Sequence, residues 1–131
     1  MQLEQVVLLA DDLANCDSLT SYPNLMAWVQ PGGNAYLMTN ALGVAGKAKI
    51  VEFVKSGGLY VGTCAGWYYS STAYYWEYNS GYPDAGLWHY PALLGLFPKT
   101  VEGCTHTTLA CRLSVVTRSH ARLLSLPFFF S

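Results

Sequence analysis

Acidic residues stop at Glu102, and tyrosine and tryptophan stop at Tyr90. From Gly103 onward the only charged side chains are Arg112, Arg118 and Arg122, a net of +3, whereas the preceding 102 residues carry eight acids against four lysines, a net of −4. A formal net charge of −1 conceals this division, which predicts a domain over residues 1–103 and a tail of different composition over 104–131. Charge is scarce throughout, at 11% of residues, and the near-neutral total excludes a general nucleic-acid binder. No apolar run approaches the roughly 18 residues of a membrane span. The four cysteines (Cys16, Cys64, Cys104 and Cys111) are irregularly spaced in a chain too long to depend on a disulfide framework, so they leave the compartment open. The start, Met1-Gln2-Leu3-Glu4-Gln5, lacks a basic n-region, and Val6 to Ala10 is too short for a signal core. This start predicts either an intracellular protein or a leader missing from this chain.

What is present is globular: 52% hydrophobic residues, a mean hydropathy of +0.21 and 131 residues, enough for one core. Val6-Val7-Leu8-Leu9-Ala10, closed by Asp11-Asp12, reads as a strand buried on both faces. A polar stretch with one short helical turn follows, then a second strand at Leu25 to Val29, stopped by Pro31-Gly32-Gly33-Asn34. From about Leu42 to Ser56 the period is helical. Ile50, Val51, Phe53 and Val54 share one arc opposite Lys49, Glu52, Lys55 and Ser56, and Lys47 intrudes with a stem able to snorkel. Gly57-Gly58 ends the helix, and Leu59 to Val61 is the next buried strand. Strand, glycine loop, helix, strand, tight turn and helix make a βαβα unit, which predicts a parallel sheet with a right-handed crossover. Ten of the nineteen aromatics then crowd into Trp67 to Tyr90, read as a short helix followed by a long loop, with a further short element near the helix at Ala92 to Phe97.

The chemistry concentrates in Gly62-Thr63-Cys64-Ala65-Gly66, between the strand and the following helix. This is the sequence form of a nucleophile elbow, in which the residues two before and two after the nucleophile pack together and must be small. Cys64 occupies the nucleophile position, at a helix start where amide N–H groups and the helix dipole favour a thiolate.

The loop Trp28-Val29-Gln30-Pro31-Gly32-Gly33-Asn34 and the run from Ile50 through Gly57-Gly58 to Gly62-Thr63-Cys64-Ala65-Gly66 resemble the class I glutamine amidotransferase-like superfamily. Within it the resemblance is to the biotin-protein ligase N-terminal-like branch, which includes stand-alone, often secreted, fungal proteins, and it covers about residues 25–103. It implies a three-layer α/β sandwich with a parallel, flavodoxin-like sheet, incomplete at both termini. It also implies Cys64 as the nucleophile that attacks an amide carbon, with the Ala65 N–H and an N–H of the Pro31-Gly32-Gly33 loop, at Gly33, holding the oxyanion. Active members add a histidine with a carboxylate two residues later. This chain has no His-x-Glu or His-x-Asp: His89 precedes Tyr90-Pro91, His106 precedes Thr107-Thr108 and His120 precedes Ala121-Arg122. The biotinyl-adenylate loop of a biotin ligase is also absent.

His89 is the one histidine in the resembling region and the candidate base, and Glu77, 13 residues after Cys64, is a candidate carboxylate. The set Cys104-x-His106-x4-Cys111-x8-His120 has zinc-ligand types at a spacing that fits no common finger, so no metal and no cofactor are expected. The tail, ending Leu126-Pro127-Phe128-Phe129-Phe130, reads as foreign to the domain, as translation of an unspliced or frameshifted segment would make it. The functional expectation is a degenerate, non-catalytic amidotransferase-like domain that binds a small molecule, a peptide or a partner protein at the elbow cleft. The alternatives are a cysteine-dependent amidohydrolase using Cys64 and a carbohydrate- or surface-binding module built on the aromatic stretch.

Overall fold

The structure of the chain, a computed structural model, describes residues 4–76, 86–89, 93–102, 111–116 and 127–128. Its first feature departs from the expected strand at Val6–Ala10. Residues 4–9 form no regular element, and Val6, Val7 and Leu9 are 75%, 74% and 69% exposed. The acids that follow are the reason. The Leu9 N–H donates to the Asp12 carboxylate at 2.9 Å, and Asp11 and Asp12 lie in the first turn of helix α1 (Ala10–Asn15), where negative charge meets the positive end of the helix. Asp11-Asp12 therefore opens a helix instead of closing a strand. Leu13 is fully buried, and the Lys49 ammonium donates to the carbonyls of Leu13 (2.9 Å) and Ala14 (2.7 Å), tying α1 to the long helix behind it. The expected short helical turn is a 3-10 turn at Leu19–Ser21, with the Ser18 hydroxyl accepting from the Thr20 N–H.

Strand β1 (Ala27–Gln30) ends at Pro31, and helix α2 (Ala35–Lys55) follows the glycine loop. The helix starts earlier than its period suggests because Asn34 caps it, its side-chain oxygen accepting from the Leu37 N–H at 3.1 Å. Gly43, at φ 57° and ψ −167°, interrupts it, and the run after this kink is the amphipathic one. There Ile50, Phe53 and Val54 are buried and Val51 is half-buried, as the period requires. Each such side chain contributes about 1.5–3 kcal/mol by leaving water. Lys47 is buried as well, and that burial pulls its amine below the usual lysine range. The helix stops where Gly57, at φ 115°, donates its N–H to Val54 O and Gly58 donates to Phe53 O, the paired bonds of a Schellman turn.

Strand β2 (Leu59–Thr63) runs parallel to β1, with Trp28 opposite Tyr60 and Gln30 opposite Gly62. Helix α3 (Ala65–Ser70) follows Cys64 directly. Beyond it the aromatic segment is more ordered than a loop: β3 (Ser71–Trp76), β4 (Gly86–His89) and β5 (Phe97–Glu102) form a three-stranded sheet in the order β4-β3-β5. Tyrosine and tryptophan suit strands, and the glycines and proline that break the pattern fall only after β3, at Gly81, Pro83 and Gly86. Strand β3 pairs parallel with β5 and antiparallel with β4. Residues 93–96 approach the end of α3, where the N–H groups of Leu94 and Gly95 donate to Tyr69 O and Ser71 O, but they form no helix or strand, and β5 begins only at Phe97.

In the other sheet, β6 (Cys111–Val116) pairs antiparallel with β2, and β7 (Pro127–Phe128) pairs with β6, giving the order β1-β2-β6-β7. The chain is therefore an α/β fold with short parallel strand pairs in small sheets, consistent with an incomplete α/β sandwich. The expected division at residues 103/104 falls outside the described residues. No helix among the described residues is long and apolar enough to cross a membrane.

Candidate functional site

Parallel pairing of β1 and β2 brings their C-terminal ends to the same edge of the sheet. Because Gln30 lies opposite Gly62, the loop after β1 and the turn after β2 are side by side. Open α/β sheets place their crevices at such an edge.

The turn is tight because of its glycines. A methyl group built on Gly62 would lie 2.6 Å from the Gly66 carbonyl oxygen, and one built on Gly66 would collide with the Gln30 carbonyl oxygen at the end of β1. Neither position admits a larger residue without moving backbone. The Tyr60 hydroxyl, buried under the turn, donates to Gly66 O at 2.6 Å and fixes the start of α3 against β2. Cys64 O accepts from the Trp67 N–H at 3.0 Å and from the Tyr68 N–H at 3.4 Å, so the helix begins at once.

Cys64 absorbs the geometric cost. Its backbone lies at φ 52° and ψ −116°, a conformation that side-chain-bearing residues rarely adopt, and its side chain is half-buried. Strain of this kind costs about 1–3 kcal/mol and persists only where the surroundings enforce it. Gly32 leans on it from the other loop: a methyl group there would lie 3.1 Å from Cys64 Cβ and 3.6 Å from Sγ. Gly33, at φ 140°, is also held in a glycine-favouring conformation, with Met38 Cε beside it. Beneath that loop the Gln30 carboxamide accepts from the Trp28 indole N–H at 3.0 Å and donates to Met38 Sδ at 3.6 Å.

Of the residues singled out from sequence, Gly62, Cys64, Ala65 and Gly66 share one turn, and Gly33 lies on the facing loop. The Ala65 N–H heads α3 and has no carbonyl one turn earlier within the helix. His89 closes β4 opposite Ala73, in the sheet that does not carry Cys64. Its imidazole, together with Glu77, Cys104, His106 and His120, lies outside the described residues. Among the described residues no group of three or more His, Cys, Asp or Glu side chains could hold a metal. Trp67, Tyr68, Tyr69 and Tyr74 are buried, with Trp67 tilted against Tyr68 (ring centroids 5.1 Å apart) and Tyr68 against Tyr74 (5.8 Å). Their faces are therefore not a surface for sugar.

Three contributors have no individual role legible in the sequence: Gly32 and Gln30, which appear only as part of the loop, and Tyr60. The signal for Tyr60 was a polar hydroxyl on an otherwise buried strand, two residues before the turn glycine. Burial, then the neighbouring Tyr69, raises the Tyr60 phenol well above its ordinary value, and burial pushes Tyr69 up to about 12.

The family model for the N-terminal region of biotin-protein ligase matches residues 18–119. The chain belongs to the biotin-protein ligase N-terminal family. That match takes in α2, the turn at Cys64 and both sheets as far as β6. No curated protein and no solved structure matches the chain.

Proposed function

We propose that this biotin-protein ligase N-terminal-like chain is an amidotransferase-like domain whose turn at Cys64 is a nucleophile elbow kept as a binding cleft without turnover. The observation that carries the reading is the strained backbone of Cys64, held at φ 52° between the Gly62–Gly66 contact and Gly32 of the facing loop. A turn that stores strain at a half-buried thiol beside a second glycine loop suits a site better than a packing detail. The ligand class is a small molecule or peptide presenting a carbonyl or carboxylate oxygen to the Ala65 and Gly33 amides, with its carbon beside Cys64 Sγ.

Absence of turnover is argued from the sequence, which has no histidine followed two residues later by an acid and hence no visible form of the base pair that active superfamily members use. The half-exposed thiol on a strained turn favours one second reading, a cysteine-dependent amidohydrolase with a base from elsewhere in the chain. Ammonia release from glutamine, asparagine and simple primary amides distinguishes the two. The binding reading expects no release above that of Cys64→Ser, together with ligand-induced amide shifts confined to Gly32, Gly33, Cys64 and Ala65. Release that depends on Cys64 sinks it in favour of the hydrolase.

A further inference from the structure

Two open partners for β-pairing coexist in this molecule. The first is the edge strand: β1 stands at the end of the sheet order among the described residues, with Val29 and the preceding Met26 each 62% exposed. Natural edge strands are shielded by charge, proline or a bulge. This one has no charge near it in sequence, since no charged side chain occurs from Ser18 to Gly46, and its ladder with β2 runs in unbroken register from Ala27 to Gln30. The second is the segment Val6-Val7-Leu8-Leu9-Ala10, an apolar run of strand composition that joins no sheet among the described residues, exposes Val6, Val7 and Leu9, and packs only Leu8 partly against the core.

Within one chain the segment runs directly into α1. Ala10 is already helical, the Leu9 N–H is committed to Asp12, and α1 is clamped to α2 by buried Leu13 and by Lys49 on the Leu13 and Ala14 carbonyls. A second copy carries the same two open partners without that tether. The acids that flank the segment, Glu4, Asp11 and Asp12, would meet an acceptor strand free of like charge.

We infer that Val6–Leu9 of one copy adds as a strand to the β1 edge of a second copy, and reciprocally, giving a closed two-fold dimer. Reciprocal exchange occupies both edges at once, whereas one-way addition would leave an open edge and grow into filaments. The four residues ahead of the helix that opens at Ala10 match the length of the four-residue acceptor, and the addition covers the exposed Val29.

The full chain is tested by sedimentation velocity across a concentration series, with hydrogen exchange at the Val6–Leu9 amides. The expected result is a dimer that forms as concentration rises, with those amides slowing in step. Val29→Lys, which puts a charge on the edge, and Val7→Lys, which puts one at an exposed position of the segment, should each abolish the dimer while the far-ultraviolet circular dichroism of the monomer stays unchanged. Because Val7 is exposed in an irregular segment, its variant folds even if Val29→Lys does not. A chain that stays monomeric at every concentration overturns the inference, whether or not Val6–Leu9 is protected. So does a dimer that survives both substitutions or leaves those amides in fast exchange.

Discussion

Val6–Ala10 and Leu59–Val61 are both apolar runs closed by a turn, and from sequence both read as buried strands. Only the second is one: Tyr60 is fully buried and paired on both sides, by β1 and by β6, whereas Val6 and Val7 are three-quarters exposed. The difference lies in what comes next. After β2, glycines at 62 and 66 allow the chain to reverse tightly onto β1, so the strand stays in register with a neighbour. After Val6–Ala10, the carboxylate of Asp12 captures the Leu9 N–H and draws the end of the run into a helix. A strand is a pairing, and a local apolar run supplies only one side of it.

Four measurements test this contrast. Gly66→Ala should be the most damaging, because its methyl group meets the Gln30 carbonyl rather than a movable side chain. A loss of about 3 kcal/mol in urea unfolding is expected, and a loss under 1 kcal/mol would mean that the turn is looser than described. Next is alkaline pH. Tyr69 and Tyr60 have folded-state values above the ordinary 10, so above pH 10 the unfolded chain releases phenolic protons that the folded chain keeps. Their contribution is whole below pH 10 and declines as pH rises toward 12. Tyr69 alone accounts for roughly 2 kcal/mol of that decline, read as a falling denaturation midpoint that Tyr69→Phe should flatten. Cys64→Gly should move stability the other way, by about 1 kcal/mol or more of gain, because glycine accepts φ 52° without strain. A destabilised variant would show that the Cys64 side chain packs more than it strains. Val7→Ala, in dilute monomer, should change the unfolding free energy by less than about 0.5 kcal/mol, in contrast to any shortening within β2.

The site was more legible than the fold around it. The spacing of Gly62, Cys64 and Gly66 reports a steric rule that operates over five residues, so it can be read without knowing what surrounds it. The buried stripe Ile50, Phe53 and Val54 was legible for the same reason, since helical period is a local property. The start of α2 was missed because its apolar pattern is weak before Gly43 and only the Asn34 cap marks it. The strands at 71–76 and 86–89 are hidden in the sequence because the glycines and proline of residues 81–86 break the pattern of the whole aromatic stretch, although they interrupt only the connection between two strands. Gly32 was read as one of a pair, and which of the two faces Cys64 depends on how the β1 loop leaves the sheet.

The strand–turn–helix at Cys64, its flanking glycines, the amphipathic second half of α2 and membership of an α/β family are written in the local sequence, because all of them rest on interactions within a few residues or one helical turn. Tertiary contacts set the rest: Gly32 and Gln30 close in on that turn, Tyr60 reaches Gly66, β6 lies beside β2, and Val6–Ala10 joins no sheet among the described residues. Those depend on which strands pair and in what register, and pairing is a contest among distant segments that no single segment's composition can settle.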